Sequence, residues 1–423
     1  MSKIFQKISW LALTAIATAS ILISWPVTAA AQQPAGIQSL LQNYADQMHT
    51  AGTTGVLLEA RYGNDAVWAR AGVAKLGSNT PVPFGAHFKT GSTTKTFVST
   101  VVLQLVGEGR LSLDDTVEHW LPGLIHGNGN DGSQITVRQL LNHTSGIFDY
   151  TTDDAFFATL STPESFAANR FHTYTPQDLV NIALSHPPEF APGASWSYSS
   201  TNYVIAGMLI KAATGKDWST EVRNRILLPL GLTETSSAGT RAGLPLPFAE
   251  GYHIFTTDPQ NRQYTNTTLH NMSWASSAGD IITTTNDENR FFQALMRGKL
   301  LKPAQLAEMK TIIPLGDGVG YGLGIIWTSL PCDSRGAWSH DGGVVGYATS
   351  NGTTDDGQRS VVVSLDTTTF TDLDYAEAVG QLRIDAVNDA LCAGQPTVTS
   401  PQSLLTHPLP VQPGAVERLR TML

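Results

Sequence analysis

Strand-like segments gather towards the two ends of this 423-residue chain and short helical patterns fill its middle. That distribution predicts an α/β (α+β) fold, an antiparallel sheet of N- and C-terminal strands flanked by helices, with a mostly helical domain inserted. Three observations carry the prediction. Residues 54–61 and 66–74 read as two strands around the turn Gly63-Asn64-Asp65. From Leu111 to about Thr268, short helical patterns alternate with Pro, Gly, Asn and Asp turns. Beyond Trp274, strand signals return at 322–328, 336–339, 346–350 and 359–365, with Asp355-Asp356-Gly357 suited to a hairpin.

Taken in order, the chain opens with Lys3 and Lys7, an apolar stretch from Trp10 to Trp25, then Pro26 and the small residues Ala29-Ala30-Ala31. This pattern predicts a secretory signal over 1–31, cut after Ala31 or Ala29, with an uncleaved anchor as the alternative. Removing it leaves 24 basic and 35 acidic residues, a formal charge of −11. An acidic exported protein without a basic cluster is unsuited to nucleic acid or to anionic membrane surfaces. No later segment approaches membrane length, so no stable span is expected after cleavage.

Ile37, Leu40, Leu41, Tyr44 and Met48 have helical spacing. A second helix is expected to begin near Ser92, with Phe97, Val101, Val102 and Leu105 on its core face and Gly107 and Gly109 ending it. Inside the middle region, helices are expected at 137–142, 176–185, 201–214 and 219–228. A last amphipathic helix is expected from about 374 to 391, and the Pro-, Ser- and Thr-rich residues 393–423 read as a loosely ordered tail. The α/β domain is thus discontinuous, over 36–110 and 269–392, with the helical domain at 111–268. Cys332 and Cys392 are the only cysteines, and in an exported chain they read as one disulfide, two buried thiols being the alternative. The histidines are scattered without ligand spacing, so neither metal nor cofactor is expected.

The chemistry points to Ser92-Thr93-Thr94-Lys95. Positions i and i+3 share a helix face, which sets the Ser92 hydroxyl beside the Lys95 amine. A desolvated, neutral lysine can activate a serine, and helix N-terminal amides can stabilise an oxyanion. Tyr198 follows the Pro192-Gly193 turn just before a helix, where it could act as a phenolate or pass a proton. His340-Asp341-Gly342-Gly343 sits at a strand edge, and its glycines allow a substrate backbone to lie close. Each of the three segments alone is compatible with an ordinary helix cap, boundary tyrosine or strand end. No Gly-x-Ser-x-Gly occurs, which disfavours an α/β-hydrolase.

In this order the three segments resemble the penicillin-recognising serine hydrolases. They are most similar to the class C β-lactamase-like branch and its secreted D-alanyl-D-alanine carboxypeptidases of actinomycete type. Trp120-Leu121-Pro122-Gly123, Leu140-Leu141-Asn142-His143-Thr144-Ser145-Gly146 and Ser273-Trp274-Ala275-Ser276-Ser277-Ala278-Gly279 share the resemblance, which spans about 36–392. It implies a β-lactamase/DD-peptidase-like fold and an acyl-enzyme on Ser92, with Lys95 and Tyr198 moving its proton. It also implies an oxyanion hole from the Ser92 and Gly343 amides, His340 tuning the field near Tyr198, and Trp274 lining the cleft. The implied partner is a small molecule or peptide, with peptidoglycan stem peptides and β-lactams as candidates.

Three departures concern the substrate. Ser200 stands where the family's Tyr-x-Asn has its amide. Asp341 and Gly343 replace the two hydroxyls of His-Thr-Gly-Thr, so an acid is expected beside Gly342 where those hydroxyls would bind a carboxylate. The preceding strand reads Gly322-Leu323-Gly324-Ile325-Ile326-Trp327 and lacks the family's arginine. A D-Ala-D-Ala carboxypeptidase or β-lactamase-like hydrolase is therefore the leading expectation. An esterase or D-amino-acid amidase acting on neutral leaving groups near Ile326 and Trp327 is the alternative, and a non-catalytic binder the third reading.

Overall fold

The computed structural model describes residues 32–398 and 409–412. The expected leader at 1–31 lies outside the described residues. The first helix, α1 (Ile37–Thr50), buries Ile37, Leu41, Ala45 and Met48, the stripe that its periodicity specifies. Strands β1 (Gly55–Tyr62) and β2 (Asp65–Gly72) form a hairpin through Gly63 and Asn64. Helix α2 (Thr94–Gly107) follows one 3₁₀ turn, Gly91–Thr93. Further on come α3 (Ser200–Thr214) and α4 (Thr285–Met296). Then follow β3 (Ile313–Gly316), β4 (Val319–Tyr321), β5 (Ile326–Leu330), β6 (Asp333–Ser339), β7 (Gly342–Val344), β8 (Tyr347–Thr354), β9 (Arg359–Leu365) and α5 (Leu373–Cys392).

The nine strands form one sheet in the order β3-β4-β5-β6-β8-β9-β1-β2, with β7 paired to β8. The first hairpin joins the last strands antiparallel, Glu59 opposite Val362. The sheet's two faces are read off β9. Val361, Val363 and Leu365 pack with α1 and α5 through Leu41, Met48, Tyr375 and Leu391. Val362 points the other way, to Phe88, Ile282 and Tyr347. Cys332 and Cys392 form the disulfide that ties the start of β6 to the end of α5, a link favoured outside the reducing cytoplasm. No helix among the described residues is long and apolar enough to cross a membrane.

Some expectations change. Helix α2 is not amphipathic. Thr94, Lys95, Thr96, Ser99 and Thr100 are buried along with Phe97, Val98, Val101 and Leu105. It runs through the centre of the molecule, and its hydroxyls are absorbed locally: Thr100 Oγ1 donates to the Thr96 carbonyl and Thr96 Oγ1 to that of Gly324. The single strand expected over 322–328 is broken between β4 and β5 by Gly324, at φ +74°. Within the stretch expected to be mostly helical, Tyr252–Ile254 is a short strand that pairs with Tyr264–Asn266 on one side and with Thr367–Thr369 on the other. Within the expected tail, residues 409–412 bond to the body of the protein. There Trp196 N–H donates to the Pro410 carbonyl (3.0 Å) and Gln412 N–H to that of Trp196 (3.1 Å).

Candidate active site

The nucleophile turn begins where the short strand Phe88–Lys89 pairs with Ile281–Thr283. Gly91 reverses the chain at φ +55°, a conformation that strains a residue with a Cβ. The 3₁₀ turn then feeds α2, leaving Ser92 partly accessible while Lys95 is wholly buried. Lys95 Nζ lies 3.0 Å from Ser92 Oγ, 2.9 Å from the Ala278 carbonyl and 3.4 Å from Ser200 Oγ. Burial lowers the Lys95 pKa to about 7, against an opposing pull from the Asp149 carboxylate. As a neutral amine, Lys95 has two N–H groups for Ala278 and Ser200 and a lone pair for the Ser92 hydroxyl proton. That is the arrangement a general base requires.

Tyr198 closes the loop before α3, with its ring 4.8 Å from Lys95 Nζ. Its hydroxyl is buried and closes no hydrogen bond of good geometry. Burial holds its pKa well above 10, with the Ser92 hydroxyl opposing. Of the two forms considered from sequence, burial therefore favours the phenol, which can relay a proton, over the phenolate. Ser200 Oγ faces Lys95, so part of its hydrogen-bonding capacity goes to the amine.

His340 is reached through a fixed hydrogen-bond chain. His143 Nδ1 accepts from the Ser199 N–H (3.2 Å), so its Nε2 carries the proton and donates to Tyr321 Oη (3.0 Å). Tyr321 then donates to His340 Nε2 (2.9 Å), and His340 Nδ1–H donates to the Asp341 carbonyl (2.8 Å). Burial, with Lys95 nearby, lowers the His340 pKa to about 3, so its imidazole is neutral. Its ring centroid is 6.5 Å from that of Tyr198.

The His340 strand and the Ser92 turn are clamped together. Thr93 Oγ1 donates to the His340 carbonyl (2.6 Å), and Asn351 holds both the N–H and the carbonyl of His340. Glu288 joins Asn351 to Thr90 Oγ1. The approach leaves no room for side chains: a Cβ on Gly342 would stand 1.9 Å from the Thr90 carbonyl and 2.8 Å from Ser92 N. One on Gly91 would stand 2.7 Å from Gly343 N. The Ser92 turn and the Gly342-Gly343 strand thus lie backbone against backbone, which brings the amides of Ser92 and Gly343, from different segments, close to one another.

Two substrate expectations are corrected. The Asp341 carboxyl accepts from Ser350 Oγ (3.0 Å) and the Asn351 N–H (3.3 Å), and burial raises its pKa against the opposing pull of the Arg383 charge on α5. Ser350 is opposite Val363, so this is the α5 face of the sheet, behind the site. Trp327 pairs with Trp338 and donates from Nε1 to the Arg335 carbonyl (2.7 Å), whereas Ile326 packs with Trp196, Tyr198, Leu315 and Tyr321. Only Ile326 lies on the Tyr198 side. Trp274 is half-buried, with ring centroids 6.1 Å from Phe156 and 5.6 Å from His270.

The sequence reading missed Asp149, His143, Tyr321, Asn351 and Glu288. His143 lies in a quoted family segment, but nothing local marks it as a partner of Tyr321, 178 positions away. Among the described residues, no cluster of His, Cys, Asp or Glu could hold a metal ion.

A serine hydroxyl at a helix start with a buried amine 3.0 Å away is the arrangement of a serine hydrolase. The chain belongs to the beta-lactamase family, which matches residues 40–385. It is 28% identical over 324 residues to penicillin-binding protein 4* of Bacillus subtilis, covering 74% of this chain and 67% of that protein. Esterase EstB of Burkholderia gladioli is 31% identical over 208 residues, 48% of this chain and 51% of the esterase. Among solved structures, a D-stereospecific amidohydrolase from Streptomyces sp. is 39% identical, with TM-score 0.75 over 83% of this chain and 98% of its own. The D-amino acid amidase of Ochrobactrum anthropi SV3, complexed with D-phenylalanine, is 26% identical, with TM-score 0.72 over 84% and 99%.

Proposed function

We propose that this protein is an exported acyl-enzyme hydrolase of neutral amides and esters, with D-amino-acid amides as the substrate class tested first. Ser92 attacks the carbonyl and Lys95 takes its proton. Tyr198 delivers a proton to the leaving group and is reprotonated from the Lys95 ammonium, while the Ser92 and Gly343 amides hold the oxyanion. Water then releases the acyl group. The observation that carries the substrate class is the apolar end of the site, where Ile326, Leu315 and Tyr321 surround Tyr198. In the carboxypeptidases that the chain resembles, an arginine and two hydroxyls serve a terminal carboxylate. The likeness to the D-stereospecific amidohydrolase and the D-amino acid amidase supports the same reading.

Each charge-assisted contact to a carboxylate is worth about 1.5–3 kcal/mol, so lacking two or three of them costs a hundredfold or more. Rates on D-phenylalanine amide, its methyl ester, a D-Ala-D-Ala peptide and a cephalosporin test the reading, with Ser92→Ala as control. The amide and ester are expected to exceed the peptide in kcat/KM by at least a hundredfold. A preference for the peptide would return the assignment to a carboxypeptidase. Export is tested by N-terminal sequencing of secreted protein, expected to begin at Gln32.

A further inference from the structure

We propose that the C-terminal segment around Val411 forms one wall of the active site and determines which leaving groups it accepts. The segment adds a single parallel β-bridge, strand-like in its bonding. Pro410 receives the Trp196 N–H at 3.0 Å and the Ser195 hydroxyl at 2.6 Å, and Gln412 returns an N–H to the Trp196 carbonyl at 3.1 Å. Val411 is bridged in parallel to Trp196 and packs on the cluster of Trp196, Tyr198, Leu315, Tyr321 and Ile326. Two members of that cluster belong to the chemistry: Tyr198 itself, and Tyr321, which bonds His340.

Trp196 is fully buried, and the strand bonded to its backbone contributes to covering it. Without the strand, the faces of Trp196, Leu315 and Ile326 would open onto the Tyr198 side. The space released is apolar and suited to a large aromatic leaving group. With the strand in place, the same side favours small leaving groups such as ammonia or methanol. This inference rests on the proposed reading that Tyr198 and Ile326 mark the leaving-group end.

The test compares the full mature chain with a form ending at residue 398, and with the point variants Val411→Gly and Ser195→Ala, which keep the tail. Backbone hydrogen exchange at Trp196 reads whether the strand is docked, independently of catalysis. The expected result is faster Trp196 exchange in the shortened form. The kcat/KM ratio for D-phenylalanine naphthyl ester over methyl ester should rise tenfold or more, with a smaller rise for Val411→Gly. Unchanged exchange would mean that the strand does not dock, and faster exchange with an unchanged ratio would mean that it plays no part in selection; either overturns the proposal. If neither ester is cleaved by any form, the substrate reading fails. The rates at which methyl and naphthyl fluorophosphonates label Ser92 then carry the same comparison and decide the wall on their own.

Discussion

Lys95 and Lys89 are six positions apart and physically alike. Both are buried, and burial lowers both pKa values to about 7. Their surroundings differ. Lys95 faces the hydroxyls of Ser92 and Ser200 and feels the Asp149 carboxylate. Lys89 gives its hydrogen bonds to the carbonyls of Thr268 (2.9 Å) and His270 (3.4 Å), with the Tyr347 ring 5.8 Å away. A depressed lysine pKa therefore does not identify a base. A lone pair directed at a proton that must leave does.

The largest effect that would break this comparison is loss of the nucleophile pair. Ser92→Ala should abolish turnover, on the order of a 10⁶-fold loss. Lys95→Met should cost about 10²–10⁴-fold in kcat, whereas Lys89→Met should stay within tenfold of wild type. Equal losses from the two lysine substitutions, measured on folded protein, would remove the distinction.

Next in size is Gly342→Ala. Its Cβ would force the Ser92 and Gly343 amides apart, and the expected loss is about 10²–10³-fold in kcat with KM little changed. Pre-steady-state acylation by a β-lactam would report the same step.

The pH dependence sharpens the comparison further. Only neutral Lys95 can accept a proton, so kcat/KM should rise with pH through about 7 and then level. A rise that persists in Lys89→Met assigns it to Lys95. Stability follows from the same shift. Lys89 has a pKa of about 7 when folded and an ordinary one near 10.5 when unfolded. Between those values the unfolded chain holds the extra proton, so this group's contribution to stability rises with pH across the window. Denaturant titrations should show Lys89→Met most favoured over wild type at or below pH 7. That advantage should shrink by up to about 1.4 kcal/mol per pH unit towards pH 10.

The smallest catalytic effect is expected at Asp341→Asn. The carboxylate faces Ser350, Asn351 and Arg383, so its loss should lower thermal stability more than it alters kcat/KM for a neutral ester. A large gain in D-Ala-D-Ala peptide cleavage would instead place the acid in the cleft.

Much of the candidate site is legible in the sequence because its chemistry is local. Ser92 and Lys95 meet through one turn of one helix, and the glycines at 342 and 343 mark a close approach wherever the strand lies. The supporting layer was hidden because it joins distant positions. Glu288, Thr90 and Asn351 have ordinary local patterns, and their meeting depends on α4 lying across the sheet. Asp341 was misread for a related reason: alternation along a strand shows that neighbours face opposite sides, but not which side holds the nucleophile.

Short-range pattern specifies the sheet-forming ends, the turn that carries Ser92 and Lys95, and the one disulfide that two cysteines could make. Each depends on short-range periodicity, on backbone freedom, or on having a single possible partner. Tertiary structure decided the ionisation of Lys95, the proton order along His143, Tyr321 and His340, the face occupied by Asp341, and the docking of Val411 beside Tyr198. These depend on desolvation and on contacts between segments far apart in the chain. Both arise only once the core closes around α2 and excludes water from one side of an otherwise ordinary serine.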